Sequence, residues 1–250
     1  MLDYLISRFS SNLLDTKGLN LGNLHERVKK EFVYVQDSKT LVVILPGWAQ
    51  PLSFFEKAKK YITQAGASAL IFEFPNEILS SDLELTLGCF NLLNTMLRER
   101  IRNLKDQYQF SKCVLVSNSL GGVTAALVYK DNPLINEVVL VCSGNNLAQN
   151  MWHGVRTQHL RKDFEKQNIT LGQLKLDWRD LAPENHAPAP ETKITTYFGK
   201  ADRIIPFKEA VTLVSALRNK GFEVLHKNRH CGHYILVGQF ILFPEQFVKL

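Results

Sequence analysis

Short runs of β-branched and aliphatic residues recur along the chain, separated by longer stretches whose apolar positions lie three and four apart. A run that is apolar at successive positions suits a strand covered on both faces, whereas a three-and-four spacing suits a helix burying one stripe. The strands predicted are 32–36, 40–45, 67–74, 112–117, 137–142, 193–198 and 222–226. The helices predicted are 52–65, 82–105, 121–129, 206–219 and one running on from Tyr234. Pro206 suits a first helical turn and Gly221 a stop. Strand and helix alternate, so the expected class is α/β: a mostly parallel central sheet with helices on both faces.

The alternation fails between 146 and 190. Two short amphipathic stretches, 157–167 and 171–180, precede the proline-rich A-P-E-N-H-A-P-A-P. Long insertions in compact domains tend to be functional, so this one is expected to form a helical lid over a site. The alternative is an excursion that covers only the sheet edge. A length of 250 residues fits one domain, 1–250, with the lid inserted in it.

Composition narrows the classes. Hydrophobic residues make up 45% and charged residues 22%, enough apolar side chain to cover both faces of a sheet. The net charge of +6 raises the question of an anionic partner, but the basic residues are scattered. The densest stretches, 98–105 and 218–229, are interrupted by apolar residues or glutamates, and no basic stretch is interleaved with aromatics in a recognisable binding module, so no nucleic-acid partner is expected. Cys89, Cys113, Cys142 and Cys231 form no C-x-x-C pair and are expected to be buried or incidental thiols. The first residues lack a basic lead, a continuous apolar stretch and a small-residue cleavage site, and no run of about 18 apolar residues follows. A cytoplasmic location without stable membrane insertion is therefore the expectation. The oligomeric state is left open.

The sharpest local signal is V-L-V-S-N-S-L-G-G at 114–122, where an apolar strand runs into a serine among small residues and then into a helix. A nucleophile on so tight a turn needs small residues two before and two after it, and Ser119 has Ser117 and Gly121. Ser117 fails the same test because Leu115 is bulky. A hydroxyl is a weak nucleophile at neutral pH, so Ser119 needs a base, and the base needs an orienting acid. Downstream, in the order acid then histidine, come Y-F-G-K-A-D-R-I-I-P with Asp202 and R-H-C-G-H-Y with His233. Gly232 frees the loop before His233, and His230 is its competitor. For the oxyanion, the N–H groups of Leu120 and of Trp48 in V-I-L-P-G-W-A-Q are the candidate donors. Each residue also has an ordinary role open to it: a capping serine, a turn aspartate, a surface histidine, a proline-glycine turn with an aromatic packed on it.

Taken together, these motifs resemble the α/β-hydrolase superfamily of serine esterases, lipases and acylaminopeptidases over nearly the whole chain. The turn at 45–48 is similar to that family's oxyanion turn, 117–121 to its elbow, 199–206 to its acid loop and 232–233 to its base. Pro46 and Ser117 depart from the family's usual histidine and glycine. The resemblance implies a serine hydrolase acting on a carboxylic ester or thioester through an acyl-enzyme, with Ser119, His233 and Asp202 as triad. Acyl transfer, or cofactor-free haloperoxidase or lyase chemistry, is the alternative on the same scaffold, and a non-catalytic ligand-binding protein is a further one. No cofactor or metal is indicated, since the chain has neither a G-x-x-x-x-G-K-[ST] loop nor an H-E-x-x-H. Apolar positions in the lid include Trp152 and Trp178, which are expected to wall an acyl pocket.

Overall fold

The computed structural model describes residues 18–250; the N-terminal stretch weighed above for a secretory signal lies outside the described residues. After a single helical turn α1 (Leu24–Arg27), strand β1 (Lys29–Val33) leads to β2 (Thr40–Leu45), α2 (Glu56–Gln64), β3 (Ser68–Glu73) and the long α3 (Leu83–Tyr108). Then come β4 (Lys112–Asn118), α4 (Gly121–Tyr129) and β5 (Glu137–Val141). Between β5 and β6 (Lys193–Gly199) lie three short helices, α5 (Leu147–His153), α6 (Gln158–Lys166) and α7 (Leu171–Asp177). The chain closes with α8 (Phe207–Asn219), β7 (Val224–Arg229) and α9 (His233–Leu242). The seven strands make one sheet in the order β1-β3-β2-β4-β5-β6-β7, parallel throughout except that β1 runs antiparallel to β3. The protein has an α/β fold.

Strand periodicity divides the core in two. Odd positions of β2 and β4, such as Leu41, Val43, Cys113 and Leu115, face α3, α4, α8 and the β5–β6 segment. Even positions, Val42, Ile44, Val114 and Val116, face α2 and α9. Both sets are buried, which is why these strands show no polar alternation. Helix α3 buries Cys89, Phe90, Leu93, Leu97, Ile101 and Leu104 along one stripe, and Asp82 caps it by accepting from the Leu85 N–H at 2.9 Å. Among the described residues no helix is long and apolar enough to cross a membrane.

The edges depart most from the sequence expectation. Strand β1 starts three residues earlier than predicted and ends at Val33, and β7 spans 224–229 rather than 222–226. Both are edge strands with one side open to water, so polar residues such as Lys29, Lys30, His226 and Asn228 serve in them. An apolar-run criterion misses that.

The topology also fixes where a ligand belongs. From β2 the chain steps outward to β3 and then returns across β2 to β4, so the winding direction reverses between β2 and β4. In open α/β sheets the carboxyl ends of two such strands diverge and leave a crevice. The loops bearing Trp48 and Ser119 leave the sheet at that crevice.

Candidate active site

Ser119 follows β4 directly and has φ of +49°, the left-handed region that a β-carbon disfavours. Its N–H donates to the Val141 carbonyl at 2.9 Å, and its own carbonyl accepts from the Gly122 N–H at 3.0 Å. The turn is thus tied to the neighbouring strand on one side and opens α4 on the other. Two glycines show why small residues surround it. A β-carbon on Gly121 would lie 2.4 Å from the Leu45 carbonyl oxygen and 2.6 Å from that of Pro46. One on Gly47 would lie 2.7 Å from Asn118 Oδ1 and 3.1 Å from the Ser119 β-carbon. Gly47 is therefore required by the approach of the serine turn as well as by its own loop. Ser117, in place of the resembled family's glycine, is accommodated fully buried.

Asp202 comes from the loop after β6. Its Oδ1 accepts from the N–H groups of Ile204 at 2.8 Å and Ile205 at 2.9 Å, so it is a turn aspartate. Its Oδ2 is left for another partner and accepts from His233 Nδ1 at 2.7 Å. His233 opens α9 behind Gly232, and its Nε2 lies 3.1 Å from Ser119 Oγ. Asp202 and His233 are both buried. Their loops are joined by the Ala201 N–H donating to the Cys231 carbonyl at 3.1 Å and the Lys200 N–H to that of Arg229 at 2.8 Å. A β-carbon on Gly199 would lie 2.4 Å from the Cys231 carbonyl oxygen, so the two loops cross with no room to spare. His230, the competing histidine, is exposed.

Trp48 is half-buried. Its indole N–H donates to the Asn76 carbonyl at 2.8 Å, and its ring stacks on His159 with the Arg156 guanidinium over it. Among the described residues neither the Trp48 nor the Leu120 main-chain N–H has a protein acceptor. A feature absent from the sequence expectation is Gln50, buried, whose Oε1 accepts from the Gly47 N–H at 2.7 Å while Ala49 beside it takes φ of +59°. Nothing in W-A-Q as a string marks that role.

No protein-family model matches the sequence, and a search of curated proteins returns no match. Solved structures do match. A thermophilic esterase from the planctomycete Thermogutta terrifontis, bound to propionate, superposes with a TM-score of 0.63 over 88% of this chain and 85% of that one, at 15% identity. The same organism's esterase 2 phosphonylated by sarin gives 0.63 at 14% identity over 85% and 81%. Its form phosphorylated by paraoxon gives 0.59 at 14% over 82% and 78%. At such identities the likeness is one of fold.

A cavity of about 500 Å³ opens over Ser119 and His233. Its walls come from the β5–β6 segment (Leu147, Met151, Val155) and from α9 (Val237, Gly238, Ile241). Here one expectation is corrected. Trp152 and Trp178 do not line this cavity: Trp178 is 1% exposed, packs edge-on to Phe164 and donates its indole N–H to the Leu83 carbonyl at 3.3 Å. Trp152 stacks on the opposite side of that cluster, ring to ring with Phe164, under the Arg161 guanidinium. They hold the short helices together. Within this segment the wall residues instead include Leu147 and Met151 of α5, a helix the sequence pattern did not separate from its loop, and Val155 of the turn after it; Asn146 caps α5 by accepting from the Gln149 N–H at 3.0 Å.

Proposed function

We propose that the protein is a serine hydrolase of the α/β-hydrolase superfamily that cleaves carboxylic esters through an acyl-enzyme, with the 146–190 segment as its lid. The observation that carries this reading is the continuous contact from Asp202 through His233 to Ser119, at 2.7 and 3.1 Å, with the serine on a left-handed turn beneath an apolar cavity. In this mechanism Ser119 Oγ attacks the ester carbonyl as its proton passes to His233 Nε2. The imidazolium formed is held by the Asp202 carboxylate. The oxyanion is stabilised by the N–H groups of Leu120 and Trp48, each such donor being worth about 3–4 kcal/mol in the transition state. Collapse expels the alcohol, which takes the proton from His233. Water, deprotonated by the same imidazole, then releases the acid and restores Ser119. The esterase sharing this fold has been captured with propionate and with butyrate bound and as organophosphorus adducts, in keeping with this reading. The test is a fluorophosphonate probe on the folded protein, with mass spectrometry of the labelled peptide. Label on Ser119 is expected; folded protein that stays unlabelled there leaves the non-catalytic alternative.

Acyl-chain preference follows from the cavity wall. Burying a methylene contributes about 0.8 kcal/mol, so four more carbons held in the transition state favour the longer chain by about 3 kcal/mol, roughly a hundredfold. Esters of butyrate to octanoate are therefore expected to show higher kcat/KM than acetate. Gly238 lines the cavity, and a β-carbon there would meet nothing within 4 Å. Gly238→Phe should then fill the space and cut octanoate turnover by roughly fiftyfold, about three methylenes' worth, while leaving acetate close to wild type. Trp178→Ala, in contrast, should cost about 3–5 kcal/mol in denaturant unfolding and leave the chain-length profile unmoved. A profile peaking at acetate, or one indifferent to Gly238→Phe, would remove the acyl-pocket assignment and spare the triad.

A further inference from the structure

Behind the triad lies a thiol that the mechanism does not use. Cys142 follows β5 directly, is fully buried, and takes φ of +51°, with its N–H donating to the Tyr197 carbonyl at 2.9 Å. That turn brings its Sγ to 3.9 Å from the His233 carbonyl oxygen. Its Sγ, a carboxylate oxygen of Asp202 and a ring nitrogen of His233 all lie within 4.8 Å of one another. The three side chains come from the ends of three adjacent parallel strands, β5, β6 and β7, and all three are buried. Thiolate, carboxylate and imidazole are the three ligand types that zinc takes together, at about 2.3 Å to sulfur and about 2.0–2.2 Å to nitrogen or oxygen.

We propose that Cys142, Asp202 and His233 form a binding site for a thiophilic divalent cation, zinc or its analogue cadmium, and that filling it switches the serine site off. The site's charge is complementary to such an ion. With the metal absent, the site pairs one carboxylate with a cysteine that, like an ordinary thiol at neutral pH, keeps its proton. With the metal bound, the dication is balanced by one thiolate and one carboxylate, so the buried site becomes neutral. Proton accounting then explains the inhibition. Cys142 gives up its S–H proton to solvent. His233 binds the metal through Nδ1, and the proton formerly on Nδ1 moves to Nε2, so the ring stays neutral. One proton leaves per metal bound. Nε2 now carries a hydrogen where Ser119 needs an acceptor, and Asp202 no longer orients the ring. The 2.7 Å contact between Asp202 and His233 must open by roughly half an ångström to give tetrahedral ligand spacing. The cavity extends to His233 but not to Asp202 or Cys142, so the ion has to pass the His233 ring to reach them. Magnesium and calcium, which take oxygen ligands, are not expected to bind.

Metal binding can be tested without turnover; only the inhibition rests on the hydrolase reading. Cadmium titrated into the Ser119→Ala protein should produce one equivalent of thiolate-to-metal charge-transfer absorption, with one proton released in weak buffer. The band should vanish when Cys142→Ser, or alternatively Cys142→Ala, is added, and survive Cys231→Ser. In the protein with Ser119 intact, zinc should inhibit ester hydrolysis reversibly. Cys142→Ser should retain turnover while the zinc concentration for half inhibition rises at least roughly a hundredfold. A cadmium band that persists in both Cys142 variants, or no band at all in the Ser119→Ala protein, overturns the site. Zinc inhibition unchanged by Cys142→Ser overturns the switch. A protein that shows the band and yet hydrolyses no ester retains the metal site and loses the hydrolase reading instead.

Discussion

Replacing Ser119 with alanine is expected to lower p-nitrophenyl butyrate turnover by about 10⁵-fold without lowering the unfolding temperature, and His233→Ala should do nearly the same. The two effects should not multiply. A nucleophile without its base and a base without its nucleophile are equally idle, so the double variant should retain the same small residue of activity as either single one. That residue is attributed to the proposed N–H donors of Leu120 and Trp48 and to the cavity walls other than Ser119 and His233. The non-additivity sets a triad apart from two side chains that happen to be near each other, for which the losses would combine. Stability should hold because, among the described residues, Ser119 Oγ hydrogen-bonds only to His233, while the turn itself is held by main-chain bonds to Val141 and Gly122. Relief of a strained turn is not expected either, since alanine still carries a β-carbon at φ of +49°. His230→Ala serves as the control for the base: exposed and outside the contact chain, it should leave turnover intact. If His230→Ala abolishes turnover and His233→Ala does not, the base has been misassigned.

What the sequence made visible, and what it hid, follows from how far each constraint reaches along the chain. The tight serine turn was readable because its steric rule spans five residues: Ser117, Asn118, Ser119, Leu120 and Gly121 carry the pattern, and the Gly121 β-carbon clash with Leu45 and Pro46 is its cause. The central strands were readable because both faces are buried, which forces apolar runs in β2, β4 and β5. Edge strand β7 was misplaced, since an edge position tolerates the polar sequence H-K-N-R. The cavity wall was misassigned for another reason. Trp152 and Trp178 are the largest apolar side chains of the segment, and size alone suggested a pocket; they instead fill the space around Phe164, while thinner residues such as Leu147 and Val155 face the cavity. Which side of a short helix faces inward depends on what it packs against. Cys142 was readable as a buried thiol, but its nearness to Asp202 and His233 comes from the parallel register of β5, β6 and β7, which no local motif encodes.

Asp202→Asn separates the two roles of the aspartate and should cost about 10⁴-fold in kcat with little change in stability. One carboxylate oxygen builds the turn by accepting from Ile204 and Ile205, and the other holds the imidazole. Asparagine keeps an oxygen for the first role but brings an amide NH₂ to the second. Facing that donor, His233 must present Nδ1 as an acceptor, which moves its proton to Nε2 and points it at Ser119 Oγ, 3.1 Å away. The serine proton then has nowhere to go. Asp202→Ala removes both roles, leaving the buried Ile205 N–H and the part-buried Ile204 N–H without their acceptor, at about 1–3 kcal/mol for the buried one and less for the other. Measured side by side, the asparagine variant should unfold close to the wild-type temperature with turnover nearly gone, whereas the alanine variant should be impaired in both. KM should stay close to wild type in the asparagine variant, because Asp202 is absent from the cavity wall. Near-native turnover in Asp202→Asn would show that another carboxylate orients His233. A parallel loss of stability and turnover in both variants would make Asp202 a turn residue that supports the base only by holding its loop in place.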